Sequence, residues 1–465
     1  MPALDSRECR DNPFSVGTLG EGVIQVPRTA VRGLSIWGFT MRTTLVLAAG
    51  LLLALAFRPT NATDAAQPPA WAPKFKMQEI DTGLSIGYAV LTADLNGDGK
   101  PDILVVDQLK VVWYENPTWK KHIILDGKTK PDNVCAAVLD IDGDGKLDIV
   151  LGAGWKASDT SNPGTMQWLK NPGVVDKEWA MYPIPCDEPT VHRVRVADLD
   201  GDGKPEIIMV PLQGRDATQK GNYVDGRPVR IMSYKVPAKD PEKAESWKPI
   251  VLSEELHVVH NFDFTYQIYS KPTEVASILT ASYEGLTALW IEGGKVTKHN
   301  RIGAGNQANP MSNRGSSEVR AGSYAPVKKG TDTTMAVTIE PWHGNQVVVY
   351  PSRLNEPIPR LVIDDHLRWG HAIRCADLDG DGRDEIVIGV RDNPAKGDTF
   401  TEKCGVRIYK NTDGKGEKWE RFILDDGGIA AEDLTVADLD GDGKPDIIAC
   451  GRATKNVRIF WNQGR

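Results

Sequence analysis

Asp438-Leu-Asp440-Gly-Asp442-Gly-Lys-Pro-Asp446, running straight into Ile-Ile-Ala-Cys450, decides how this chain is read. Acids stand at positions 1, 3, 5 and 9, and glycines at 4 and 6 let the backbone wrap tightly around one point. The pattern occurs four more times: at Asp94, Asn96, Asp98 and Asp102; at Asp140, Asp142, Asp144 and Asp148; at Asp198, Asp200, Asp202 and Glu206; and at Asp377, Asp379, Asp381 and Glu385. Each copy is followed by β-branched apolar residues, such as Ile103-Leu-Val-Val106. An EF-hand would place a helix there and a glutamate at its twelfth position. Neither is present, so each turn joins two strands. Carboxylates clustered without histidine or thiolate suit a hard, oxygen-seeking cation. The acidic residues named, with Asn96, are therefore read as ligands of about five Ca²⁺, one per turn.

Two further units lack the acidic turn but keep the strands, at Val275–Thr280 with Leu286–Ile291 and at Met335–Ile339 with Gln346–Tyr350. Seven units of four strands with no helical stretch predict an all-β fold, a seven-bladed β-propeller. The last unit stops after its third strand, Val457–Trp461, four residues from the C-terminus. Trp71 to Ile80 has the tryptophan-then-apolar character of the missing fourth strand. The N-terminal segment is thus expected to complete the last blade and remove the open edge. A β-solenoid on the same turns is the alternative, and it needs no such exchange.

Composition excludes other classes. With 465 residues, 40% hydrophobic and a formal charge of −8, the chain is neither disordered nor a basic nucleic-acid binder. Its cysteines (Cys9, Cys135, Cys186, Cys375, Cys404 and Cys450) form no CxxC pair, which argues against a disulfide framework and a thiolate zinc site. Met41-Arg42 precede an apolar run from Leu45 to Phe57 that contains Ala54-Leu55-Ala56. That run fits a signal peptide over 41–56 and falls short of the roughly 18 residues of a spanning helix. Export to the periplasm or beyond is expected, without stable membrane insertion; an uncleaved anchor is the alternative. Residues 1–40 read as a spurious leader, 57–70 as a linker and 71–465 as the propeller.

In a propeller the innermost strand of each blade lines the axis. The residue six before the first Asp of a turn therefore enters at the mouth, on the face opposite the turns. That position holds His192, His371 and Glu432, while the turnless units supply His257, His260 and Glu318 nearby. Singly, each histidine reads as a hydrogen-bonded strand cap. Jointly, His192, His260, Glu318 and His371 read as a Zn²⁺ site with room for substrate. His343, Tyr283 and Glu340 are titratable groups on the surrounding loops and are taken as the acid–base candidates. Trp155 and Trp342 suit either blade packing or a sugar platform, and Arg391 and Arg452 suit salt bridges between blades.

The five Asp turns resemble those of the FG-GAP/VCBS repeat family, over nearly all of 71–465, which implies a propeller and calcium. Ala281-Ser-Tyr283-Glu284-Gly, Ser316-Ser-Glu318-Val-Arg320, Ile339-Glu340-Pro-Trp342-His343-Gly-Asn-Gln and Gly370-His371-Ala-Ile resemble the propeller domain of fungal aldos-2-ulose dehydratases and 1,5-anhydrofructose dehydratases. That resemblance implies a lyase that uses zinc in the propeller cleft to remove water from a keto-sugar. No cupin segment accompanies this propeller, so the isomerase step of the fungal family is not expected. The competing reading is a non-catalytic module that binds a glycan or protein; a quinone-dependent sugar dehydrogenase is a third.

Overall fold

In the computed structural model, residues 69–465 are described apart from 158, 268–270, 309–312, 328–332 and 354–355. The leader 1–40, the signal segment 41–56 and most of the linker lie outside the described residues. The described chain forms seven four-stranded antiparallel sheets. In six of them the strands follow sequence order from the axis outward. In the seventh, Phe75–Asp81 pairs with Val457–Asn462, setting Phe75 opposite Asn462 and Lys76 opposite Trp461. The ring closes by this exchange of chain ends, as the strand count predicts, and the solenoid is excluded. Among the described residues the one helical element is a single 3-10 turn, Ala244–Ser246.

Burial explains the strand sequences. Asp102–Asp107, Asp148–Ala153, Glu206–Pro211, Glu385–Val390 and Asp446–Gly451, second in their blades, are buried throughout. A strand covered on both faces by neighbouring blades reads as an unbroken apolar run rather than an alternation. Blade one packs on blade seven in this way, Val90, Ile103, Val105 and Tyr114 against Leu439, Ile448 and Ile459.

The ninth-position acids also tie the blades together. Asp102 Oδ2 accepts from Leu95 N at 3.0 Å, and its Oδ1 accepts from Asn116 N at 2.9 Å. Asn116 Nδ2 then donates to the Leu439 carbonyl of blade seven at 2.7 Å. Asp148 holds Asn171, which donates to Leu95 O at 2.9 Å, and Asp446 holds Asn462, which donates to Leu378 O at 2.8 Å. One buried carboxylate thus fastens its own turn and, through an asparagine, the adjacent blade.

Four innermost strands carry a β-bulge near their start. The residue left without an opposite partner is Tyr88, His192, His371 or Glu432. A bulge inserts one residue and re-aims its side chain. These four turn toward the axis.

Candidate functional site

A cavity of about 140 Å³ opens at this end of the axis. Tyr88, Val134, His192, His371 and Glu432 all line it, and each stands six residues before the first Asp of its turn. Six strand residues span roughly 20 Å, so the acidic turns lie on the far face. The offset that finds the histidines and the glutamate of this series also finds Tyr88. Its hydroxyl donates to Asp132 Oδ2 at 3.0 Å, and the Arg452 guanidinium lies 5.4 Å from its ring centre. Burial and the Asp132 carboxylate push that hydroxyl well above the usual tyrosine range.

Three imidazoles converge on the cavity floor. Ligand nitrogens of His260, His343 and His371 all lie within 4.8 Å of one another, and Nε2 of His260 and His343 stand 2.8 Å apart. His371 Nδ1 bonds the Glu432 carbonyl at 2.7 Å, which leaves the Nε2 lone pair free. Trp342 stacks on His343 with ring centres 4.6 Å apart. Burial drives the pKa of all three, and of His192, well below the ordinary histidine value. The guanidinium groups of Arg193 and Arg391 add to that effect on His260, His343 and His371. Uncharged imidazole is the form that binds a transition metal. His260 Nδ1 and Glu318 Oε1 approach to 2.8 Å, yet both are buried and neither makes an aligned hydrogen bond. A polar pair tied to such a trio fits a zinc ion held by three histidine nitrogens, with the carboxylate behind one of them.

The placement departs from the sequence reading at several residues. Glu318 does not line the cavity; it stands behind His260, paired with Asn261 Nδ2 and 3.5 Å from Arg193. His192 lines the wall, but its Nδ1 bonds the His260 carbonyl at 3.0 Å and it stays outside the converging trio. His343, taken as an acid or base, is inside it. Tyr283 is not among the cavity residues; its main chain is engaged by His257 and Gln307. Glu340 is fully buried away from the cavity, accepting from Ser316, Thr338 and Tyr350 and pairing with Arg360 at 2.7 Å. Its carboxylate is spent on packing, so Glu340→Ala is expected to cost about 3 kcal/mol of stability. Urea unfolding checks this, with zinc content of the folded protein unchanged. Arg452 bonds Glu432 within its own blade at 2.7 Å, and Arg391 approaches Glu432 across the blade boundary at 4.0 Å. Both also line the cavity, as do Trp155 and Trp342.

On the far face the acidic turns share one conformation. Asp94 accepts from Gly97 N at 2.7 Å and from Gly99 N at 2.9 Å. Gly97 and Gly99 have φ of 77° and 84°, a region that strains any other side chain. Each bonded carboxylate oxygen keeps a further lone pair, so the oxygen-only donor set of blades one and seven fits Ca²⁺.

Comparison with known proteins follows the same division. A family model described as the β-propeller domain of aldos-2-ulose dehydratase matches residues 163–353. An FG-GAP-like repeat model matches 94–151 and 377–449. Both resemblances hold, the FG-GAP one over these two stretches rather than over nearly all of 71–465. Aldos-2-ulose dehydratase of Phanerodontia chrysosporium is 26% identical over 304 residues, covering 62% of this chain and 31% of that protein. The chain therefore spans about a third of the relative's length. The matched segment 163–353 includes His192, His260, Glu318 and His343, while His371 lies beyond it. Among solved structures, BBS1N in complex with ARL6DN matches at TM-score 0.47 and 10% identity, over 84% of this chain and 96% of that one. The extracellular domain of the two component system BT4673 from B. thetaiotaomicron matches at 0.45 and 12%, over 83% and 39%. Scores at this level carry no functional argument.

Proposed function

We propose that this chain is an exported hydro-lyase that removes water from a keto-sugar of the aldos-2-ulose or 1,5-anhydrofructose type, at a zinc held by His260, His343 and His371. The observation that carries the reading is the convergence of these three uncharged imidazoles in a cavity to which the segment matching a dehydratase propeller contributes His192, His260, Trp342 and His343. Zinc there would supply Lewis-acid polarisation of a ketone, which makes the adjacent C–H acidic. Within this reading His192 accepts the proton at Nε2, which takes a hydrogen bond from Arg193 Nη1 at 3.3 Å until substrate displaces it, while its Nδ1 is committed to the His260 carbonyl. Tyr88 retains its proton at neutral pH and is the donor to the departing hydroxyl. Trp155 and Trp342 offer flat apolar walls to a sugar ring. Calcium in the far-face turns of blades one, two, three and seven belongs to the same proposal, as scaffold rather than chemistry.

The test is to incubate purified, zinc-loaded protein with 1,5-anhydrofructose and follow ultraviolet absorbance of an unsaturated ketone. Zinc-loaded protein that leaves the sugar unchanged while binding a glycan would hand the case to the non-catalytic module. Glu318→Gln provides a finer check. Orienting carboxylates behind a metal-binding histidine typically contribute 10- to 100-fold in metal affinity. The variant is expected to lose about that much zinc affinity in a chelator competition, with its calcium content unaltered.

A further inference from the structure

Three of the five acidic turns receive a lysine from the end of the third strand of their own blade: Lys170, Lys235 and Lys410. The same position holds Glu115 in blade one and Trp461 in blade seven. The surroundings of the three lysines differ. The Lys235 side chain is 57% exposed and that of Lys170 34%, so each can swing into solvent and leave its carboxylates to a metal. Lys410 is 9% exposed. Its Nζ lies 2.6 Å from Asp379 Oδ2, 2.8 Å from Asp381 Oδ2 and 2.9 Å from Glu385 Oε1.

An ammonium has three N–H groups, and all three are used here. Trp71 covers another side, with Nζ 5.9 Å from its ring centre. Further cations stand on the same acids, Arg383 at 3.1 Å from Asp381 and Arg465 on Asp379. The carboxylates of Asp379, Asp381 and Glu385 therefore face one enclosed positive charge, that of Lys410, with Arg383 and Arg465 more exposed at the rim.

We propose that the blade-six turn carries no calcium and is held instead by the Lys410 ammonium, a built-in cation in the place the repeat motif reserves for a metal. Calcium needs six to eight oxygens at 2.3–2.6 Å. The oxygens of Asp379, Asp381 and Glu385 already converge on Nζ, so the metal could enter only by displacing the ammonium. Trp71 blocks its exit, and a displaced ammonium would remain beside the incoming dication. The donor set read from the motif thus does not fit calcium in this blade, although the turn is folded like the others: Gly380 N and Gly382 N each donate to Asp377 at 2.8 Å. Trp71 comes from the segment that closes the ring, so the same segment also caps this internal cation.

Calcium counting tests the assignment without any activity measurement. Wild-type protein and Lys410→Met, both stripped with chelator, are dialysed to equilibrium against CaCl₂ and the bound metal is measured. The methionine variant is expected to bind one more calcium per chain than wild type; equal numbers overturn the proposal. Should Lys410→Met fail to fold, Asp379→Asn decides the matter in a chain that keeps Lys410. Its calcium number is expected to equal that of wild type, and a loss of one calcium per chain overturns the proposal.

Discussion

Deleting residues 71–81 should turn a soluble propeller into an aggregating one. The segment supplies the outer strand of blade seven, paired with Val457–Asn462 along its length. Its loss bares a row of unpaired amides and carbonyls on that strand, a template for association with another chain. Trp71 and Phe75 also pack against the cluster of Val387, Ile408 and Phe460, and Trp71 meets Phe422 edge-on at 6.5 Å. Two aromatic side chains of about 150 Å² each, half buried, represent roughly 4 kcal/mol at about 25 cal/mol per Å². Glu79 adds an ion pair with Arg458 at 2.9 Å. Against a typical total stability of about 5–15 kcal/mol, that loss is large. Size-exclusion chromatography and thermal melting check it; a soluble truncated protein with an unchanged melting temperature would show that closure does not depend on this strand.

His371→Ala should abolish zinc binding and dehydration while leaving the fold intact. His371 occupies a bulge at the start of an innermost strand, and its side chain serves the cavity rather than the packing between blades. If orienting residues alone contribute 10- to 100-fold in metal affinity or activity, loss of a direct ligand should lower turnover by at least about 100-fold. Calcium content should not change, since the nearest acidic turn begins at Asp377, six strand residues or about 20 Å away. His371 is also the one member of the trio outside the segment that matches the dehydratase propeller. Elemental analysis of the variant reads both metals at once. A variant that keeps one zinc per chain and full turnover would remove His371 from the metal set and undo the proposed site.

Much of the site was legible at the level of address and little of it at the level of role. The offset of six residues from each acidic turn places Tyr88, Val134, His192, His371 and Glu432 in the cavity, because blade geometry repeats with the turn. Tyr88 obeys the same offset, but a lone tyrosine carries no metal-ligand pattern that would mark it in the sequence. Roles followed other contacts. Glu318 became a partner of His260, and Glu340 was drawn into a buried cluster with Tyr350 and Arg360.

The sequence by itself determined the number of blades, the turn between first and second strands, and the exchange that closes the ring. These depend on local chemistry: glycines where the backbone turns left-handed, β-branched runs where strands are buried on both faces, and a strand absent from one end and present at the other. The tertiary structure alone decided which imidazoles converge, which carboxylates stand behind them and which acidic turn is filled by a lysine. Each of those outcomes joins side chains from different strands or blades, such as His260 with His343 and His371, or Lys410 with Glu385 beneath Trp71. A repeat spacing specifies where a side chain starts, whereas its partner is set by what the neighbouring strands and blades bring against it.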